Sequence, residues 1–316
     1  MNRSAPTDTG RKPKIGLALG SGAARGWAHI GLLNALDRAG IKIDVVCGTS
    51  VGAVVGGVYA SGRLPILEEW VRSLSRLNMF RYADIKIAGG GLIGGDRLVA
   101  LLDEHLSEVR IEQLATPFAA IACDIATGHE IWLSRGPLVP AMRASFALPG
   151  LFGPVQLNGD WLVDGALVNP IPVTVCRALG ADLVIASNLN ADIIGKQRRR
   201  GSRKMKAAET DVEKEWRSFA SLGKGGRLRR RLLGPLFKTE NDAPSVFSVM
   251  VASLAIIQDR LGRSRLAGDP PDVTIAPKIG HIAQFDFEKA DELIAEGDAA
   301  ATRALEEIHE AIDALA

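Results

Sequence analysis

Two consecutive segments narrow the choice of fold for this chain more than any other feature. "KIGLALGSGAARGWAHIGLLNALDRAG" (residues 14–40) and "KIDVVCGTSVGAVVGGVYASG" (residues 42–62) have the same plan. Each begins with a short apolar run, passes through a glycine-rich turn, and continues into a longer stretch of small and apolar residues. The opening runs suit buried strands, and the apolar spacing of "WAHIGLLNALDRAG" is helical, stopping at Gly40. Strand, turn, helix, strand, turn, helix predicts parallel strands joined by right-handed crossovers.

Later segments extend the pattern. "EEWVRSLSRL" and "GDRLVALLDEHL" read as helices, and "FAAIACDIATGHEIWLS" as two strands around a turn at Thr127-Gly128. "LVPAMRASFALPG" predicts a short helix ended by Pro149-Gly150, and "PVQLNGDWLVDGA" a hairpin turning at Asn158-Gly159 with Asp164 just after its second strand. A helix and strand follow in "IPVTVCRALGADLVIASNL". Then come the apolar helix "SVFSVMVASLAIIQDRLG", the strand "DVTIAP" and a long C-terminal helix from Phe287. The expected fold is α/β, with a mainly parallel central sheet.

Residues 194–240 differ in character, with fifteen Lys and Arg against five Asp and Glu, an excess of ten in a chain whose net charge is only +2. Val212, Trp216 and Phe219 sit between the basic clusters at helical spacing. Because the strand and helix pattern resumes afterwards, this segment reads as a basic insertion rather than a second domain. The expected organisation is a flexible tail (1–13) and one domain (14–316), with core motifs in 14–190 and C-terminal helices in 244–316.

Charge of this kind suits contact with an anionic membrane through residues 196–231, each basic residue near such a surface contributing about 1 kcal/mol. A solvated loop is the other reading. Nucleic acid is not expected, since no aromatic stacking pattern or binding module accompanies the charge.

Hydrophobic residues make up 47% of the 316 and the mean hydropathy is +0.11, as for a globular protein. No run of about 18 uncharged apolar residues occurs, so no transmembrane helix is expected. The polar start "MNRSAPTDTGRKPK" lacks the apolar core of a secretory signal. Cys47, Cys123 and Cys176 lie in or beside apolar runs without C-x-x-C spacing. They read as buried thiols in a reducing cytoplasm, not as a metal site.

Three elements bear chemistry: "GSGAARG" (20–26), "GTSVG" (48–52) and "VDGA" (163–166). In G-x-S-x-G, Gly48 and Gly52 permit a tight strand-to-helix bend that exposes the Ser50 hydroxyl ahead of a helix N-terminus. A serine attacking an ester needs donors for the oxyanion, and the backbone of "GSGAARG" can supply them, with charge from Arg25 beside it. A dinucleotide-binding turn is the competing reading of G-x-G after a strand. It fits poorly, because the expected acid would close the second strand, whereas Asp44 opens it, and Arg25 stands where glycine or alanine belongs. No cofactor or metal is expected.

The base is less obvious. His29 falls in the first helix, His105 and His309 on solvated helix positions, and His129 in a hairpin. His281, in "PKIGHIAQ", is the late histidine an α/β-hydrolase order would use. Asp164, trailed by Gly165, is the other candidate.

"GSGAARGWAHIGLL", "GTSVGAVVGG" and "DGALVNPIP", in that order and spacing, resemble the patatin-like phospholipase family, and "RASFALPGLFGPV" is similar to the segment before that family's aspartate. The likeness covers most of residues 14–190 and points to the short, single-domain bacterial branch. It implies a three-layer α/β/α fold and a Ser–Asp dyad without histidine, Ser50 as nucleophile and Asp164 as base. It also implies an oxyanion hole in the loop Gly20, Ser21, Gly22, Ala23, Arg25 and Gly26, built on the backbone N–H groups around Ser21, Gly22 and Ala23. Ser21 and Ala23 stand where glycines are common. The implied activity is hydrolysis of phospholipid or lysophospholipid esters. The expected location is the cytoplasm, with peripheral contact at the inner membrane where the basic segment serves as a membrane contact rather than a solvated loop. A carboxylesterase, thioesterase or acyltransferase using the same dyad is the alternative, as is a regulatory protein of this fold with little turnover.

Overall fold

The computed structural model describes residues 12–74, 96–192 and 246–315. Most of the expected tail and the whole basic segment, including residues 196–231 and the Val212/Trp216/Phe219 spacing, lie outside the described residues.

Among the described residues, eight strands form one sheet. They are β1 (Ile15–Leu19), β2 (Val45–Thr49), β3 (Phe118–Asp124), β4 (Glu130–Leu133), β5 (Val155–Leu157), β6 (Asp160–Asp164), β7 (Leu183–Ser187) and β8 (Val273–Ile275). β3, β2, β1, β7 and β8 pair in parallel, while β4 and β6 pair antiparallel with β3, and β5 with β6. The helices are α1 (Ala28–Arg38), α2 (Val51–Ala60), α3 (Leu64–Arg72), α4 (Asp96–Leu106), α5 (Leu138–Ser145), α6 (Val173–Ala178), α7 (Val246–Gly268) and α8 (Ala290–Asp313). α3 starts four residues before the predicted "EEWVRSLSRL", because Pro65 is accommodated in its first turn. Asp164 closes β6 rather than following it.

Layering follows from strand alternation. One sheet face carries the larger core, where Leu17, Leu19 and Val46 pack with residues of α1, α2, α5 and α8. The opposite face buries Ala18, Val45, Cys47 and Ile121 under Val173, Val175 and Cys176 of α6, with Leu266 of α7 at its margin. The result is the expected three-layer α/β/α arrangement with a mainly parallel centre. Cys47, Cys123 and Cys176 are buried and unbridged.

α1 and α8 approach backbone to backbone. A Cβ at Gly31 would sit 1.8 Å from the Ile294 carbonyl oxygen, and one at Gly297 1.8 Å from that of Ala28. Alanine raises helix propensity by about 1 kcal/mol over glycine, but overpacking a closed interface costs about 1–3 kcal/mol. Packing should win, so Gly297→Ala is expected to lower the urea midpoint. A raised midpoint would mean the two helices do not meet here.

Strand register then positions the site. β2 and β4 both pair with Ala120 and Ile121, so they occupy opposite edges of β3. β4 and β6 both pair with Ala122 and Cys123, so they too lie on opposite edges. β2 and β6 therefore share one edge and meet end to end. Thr49 sits against Ile121 and Asp164 against the next residue, Ala122. Ser50, which follows Thr49, is carried to Asp164 by the sheet itself.

Candidate active site

Ser50 occupies the bend between β2 and α2 at φ 59°, ψ −126°. Backbone in this region is strained for a residue with a Cβ and persists only where the surroundings enforce it. The flanking glycines show how. A Cβ at Gly48 would lie 2.3 Å from the Gly52 carbonyl oxygen, and one at Gly52 2.2 Å from that of Leu19. No side chain fits at either position. The bend is also tied from outside: the Ser50 N–H donates to Ser145 Oγ (2.9 Å), whose hydroxyl donates to the Ile121 carbonyl (2.5 Å). Ser145, at the end of α5, received no role from the sequence. The only signal for it was its place in "RASFALPG".

The Ser50 hydroxyl donates to Asp164 Oδ2 at 2.7 Å, and the Ala166 N–H donates to Oδ1 at 2.8 Å. Asp164 is 1% exposed. Burial pushes its carboxyl up to about 7, against the Ala166 N–H and the Ser50 hydroxyl, which both favour the ionised form. An ordinary aspartate is a poor base for an alcohol; one titrating near neutrality is much better matched.

The first turn lies beside this pair. Its conformation is fixed by bonds to three other parts of the chain: Gly20 N–H to Ser187, Ser21 N–H to Pro170 and Ala24 N–H to Gln284, at 3.2, 2.9 and 2.9 Å. The Ser21 N–H is thereby occupied. The N–H groups of Gly22 and of Ala23 (φ 50°) make no backbone hydrogen bond to another described residue. Arg25 does not line the cleft; its Nε donates to the Ile282 carbonyl at 2.8 Å. Burial pulls its guanidinium down to about 10, partly offset by Asp286. It anchors the turn to the segment before α8. Gly26 admits Val51, whose side chain would lie 2.2 Å from a Cβ there.

His29 is fully buried, and its Nε2 lies 2.8 Å from the Gly20 carbonyl oxygen. Burial pulls the imidazole down to about 4, so the neutral ring donates to that carbonyl and braces the turn. His281 is elsewhere, its Nε2 2.6 Å from Glu292 Oε1 at the surface and outside the cleft lining. The structure therefore brings Ser50 and Asp164 together and leaves His281 apart.

The cleft is lined by Ser21, Gly22, Ala23, Ser50 and Asp164 on one side and by Leu254, Ala255 and Gln258 of α7 on the other, with Leu148 and Phe285. The outer face of α7 exposes Val249, Ile256 and Ile257, so the helix walling the cleft is apolar toward solvent as well. No described helix is long and apolar enough to cross a membrane.

The patatin-like phospholipase model matches residues 17–177, from β1 through α6. An uncharacterized NTE family protein of Mycobacterium bovis is 34% identical over 338 aligned positions, covering 93% of this chain and 92% of its own. Lysophospholipase nte1 of Emericella nidulans is 26% identical over 88% of this chain, which spans only 17% of that protein. Patatin-like phospholipase domain-containing protein 6 of Mus musculus is 31% identical over 56% of this chain and 14% of its own. Among solved structures, VipD from Legionella pneumophila aligns with a TM-score of 0.47 at 13% identity, covering 94% of this chain and 67% of that one. A match spanning the turn, the Ser50 bend and Asp164, joined to a relative aligned along nearly its whole length, identifies the chain as a member of the patatin-like phospholipase family.

Proposed function

We propose that this protein is a serine hydrolase of lipid acyl esters, of the phospholipase A or lysophospholipase type, acting through a Ser50–Asp164 dyad. The observation that carries the reading is the 2.7 Å hydrogen bond from the Ser50 hydroxyl to a fully buried carboxylate. The lipid substrate is supported by the apolar wall and exposed apolar face of α7, and by the lysophospholipase name of a relative.

The cycle balances in protons. Ser50 Oγ attacks the ester carbonyl carbon while Asp164 Oδ2 takes the hydroxyl proton. The carbonyl oxygen becomes an oxyanion, and the N–H groups of Gly22 and Ala23 stabilise it. The tetrahedral adduct collapses, the C–O bond to the alcohol breaks, and that alcohol leaves with the proton held by Asp164. Water, deprotonated by Asp164, then attacks acyl-Ser50; the second adduct releases the fatty acid and returns the proton to Ser50.

The test uses purified full-length protein in mixed micelles. Fatty acid release from diacyl and monoacyl phospholipid should appear in the mass spectrum, and a fluorophosphonate should add to Ser50. Turnover of acyl-thioester and short soluble esters with none of either phospholipid would replace this reading with the thioesterase or carboxylesterase alternative. An unreactive Ser50 in folded protein would favour the regulatory one.

A further inference from the structure

Ser21 departs from the glycine-rich form of the first turn, and its backbone N–H cannot serve the cleft because the Pro170 carbonyl accepts it at 2.9 Å. What Ser21 adds is a hydroxyl. The residue is 3% exposed, it lines the cleft together with Ser50, Gly22 and Ala23, and its Oγ has no hydrogen-bond partner among the described residues. Among the described residues Trp27 Nε1, His29 Nδ1, Ser187 Oγ and Glu296 Oε2 are also buried without a partner, but none of them lines the cleft.

A buried hydroxyl left unpaired is destabilising, and one that also lines the cleft beside the nucleophile calls for an explanation there. The Ser21 Oγ is closed off from solvent as it stands, but a serine side chain can turn about its Cα–Cβ bond, and its hydroxyl can then donate to an oxygen that enters the cleft. The oxygen that most needs a donor there is the one that gains charge as Ser50 attacks.

On the proposed dyad chemistry, we infer that the Ser21 hydroxyl is a side-chain donor of the oxyanion hole, joining the Gly22 and Ala23 N–H groups. In this turn, the hydroxyl replaces the main-chain donor that the bond to Pro170 has removed. No bond is made or broken by Ser21; it lends one hydrogen bond to the ester oxygen in the tetrahedral state. Preorganised donors of this kind are each worth about 100- to 1,000-fold in rate.

Ser21→Ala and Ser21→Gly remove the hydroxyl and leave the backbone donors. With a chromogenic short-chain ester, the pre-steady-state acylation rate should fall about 100-fold in both, while the apparent ester dissociation constant changes less than about threefold. The melting temperature of Ser21→Ala should stay level or rise, because no intramolecular hydrogen bond is lost. A structural role would show the reverse, normal acylation with a melting temperature several degrees lower, and would overturn the inference. So would a loss confined to ester binding, which would make the hydroxyl a ground-state contact. Ser50→Ala separates the two levels of the argument. If it is inactive while Ser21→Ala acylates normally, only the role of Ser21 falls. If it is active, the dyad reading falls and this inference with it.

Discussion

Ser50→Ala is expected to lower ester hydrolysis by at least about 10,000-fold, to the level that oxyanion donors and binding sustain without a nucleophile. The loss is large because, on the proposed mechanism, the covalent step has no substitute: the only hydroxyl donating to Asp164 among the described residues is that of Ser50. Folding should survive, since alanine occupies the same bend at φ 59° and the backbone bond from position 50 to Ser145 is unchanged. The check is steady-state hydrolysis of a soluble ester beside circular dichroism and a melting curve. Activity within tenfold of wild type would place the nucleophile elsewhere. Removal of the hydroxyl also takes one donor from Asp164, so its carboxyl should titrate higher still in the variant.

Asp164→Asn should lower the rate by about 1,000- to 10,000-fold, since the amide keeps the shape but accepts no proton. On the proposed dyad mechanism only ionised Asp164 acts as base. With the carboxyl pushed up to about 7, activity should rise about tenfold per pH unit below neutrality and level off above it. The same shift predicts an opposite trend in stability. Between the ordinary value of 3.8 and about 7, the unfolded chain has released the proton that the folded chain still holds. Folded protein thus binds more protons, and stability falls as pH rises through this window. Above about 7 both states are ionised and the penalty is constant, at up to about 4 kcal/mol for some three pH units. Asp164→Asn carries no such penalty. It should match wild type near pH 4 and exceed it above pH 7, a divergence that melting curves across pH would show. A variant less stable at every pH would mean that the carboxylate is held in place by more than it costs to bury. Near-normal activity accompanied by loss in a His281 variant would replace the dyad with a triad.

Local signals made much of this legible. The two strand-turn-helix segments led to β1, α1, β2 and α2 because apolar runs and glycine stops act within a few residues. The Asn158-Gly159 hairpin is there, at φ 54° and 97°, because those two residues tolerate the left-handed region that the tight turn requires. Ser50 was legible for the same reason: its glycines are demanded by backbone contacts inside one bend. Arg25 was not. Its placement beside the expected oxyanion donors rested on sequence proximity, whereas its guanidinium answers to a carbonyl 257 positions away. The roles of Ser145 and His29 were invisible for a related reason, since each acts through hydrogen bonds whose partners only folding supplies.

From residues alone came the strands, the sharp bend at position 50 and the small side chains around it, since these answer to steric rules that operate over a few residues. Only the folded chain decided that Ser50 and Asp164 meet, because that depends on two strands ending against adjacent residues of β3. It also decided how basic Asp164 is, since a carboxylate's proton affinity depends on how much water the surrounding protein excludes, and no motif of four residues encodes that.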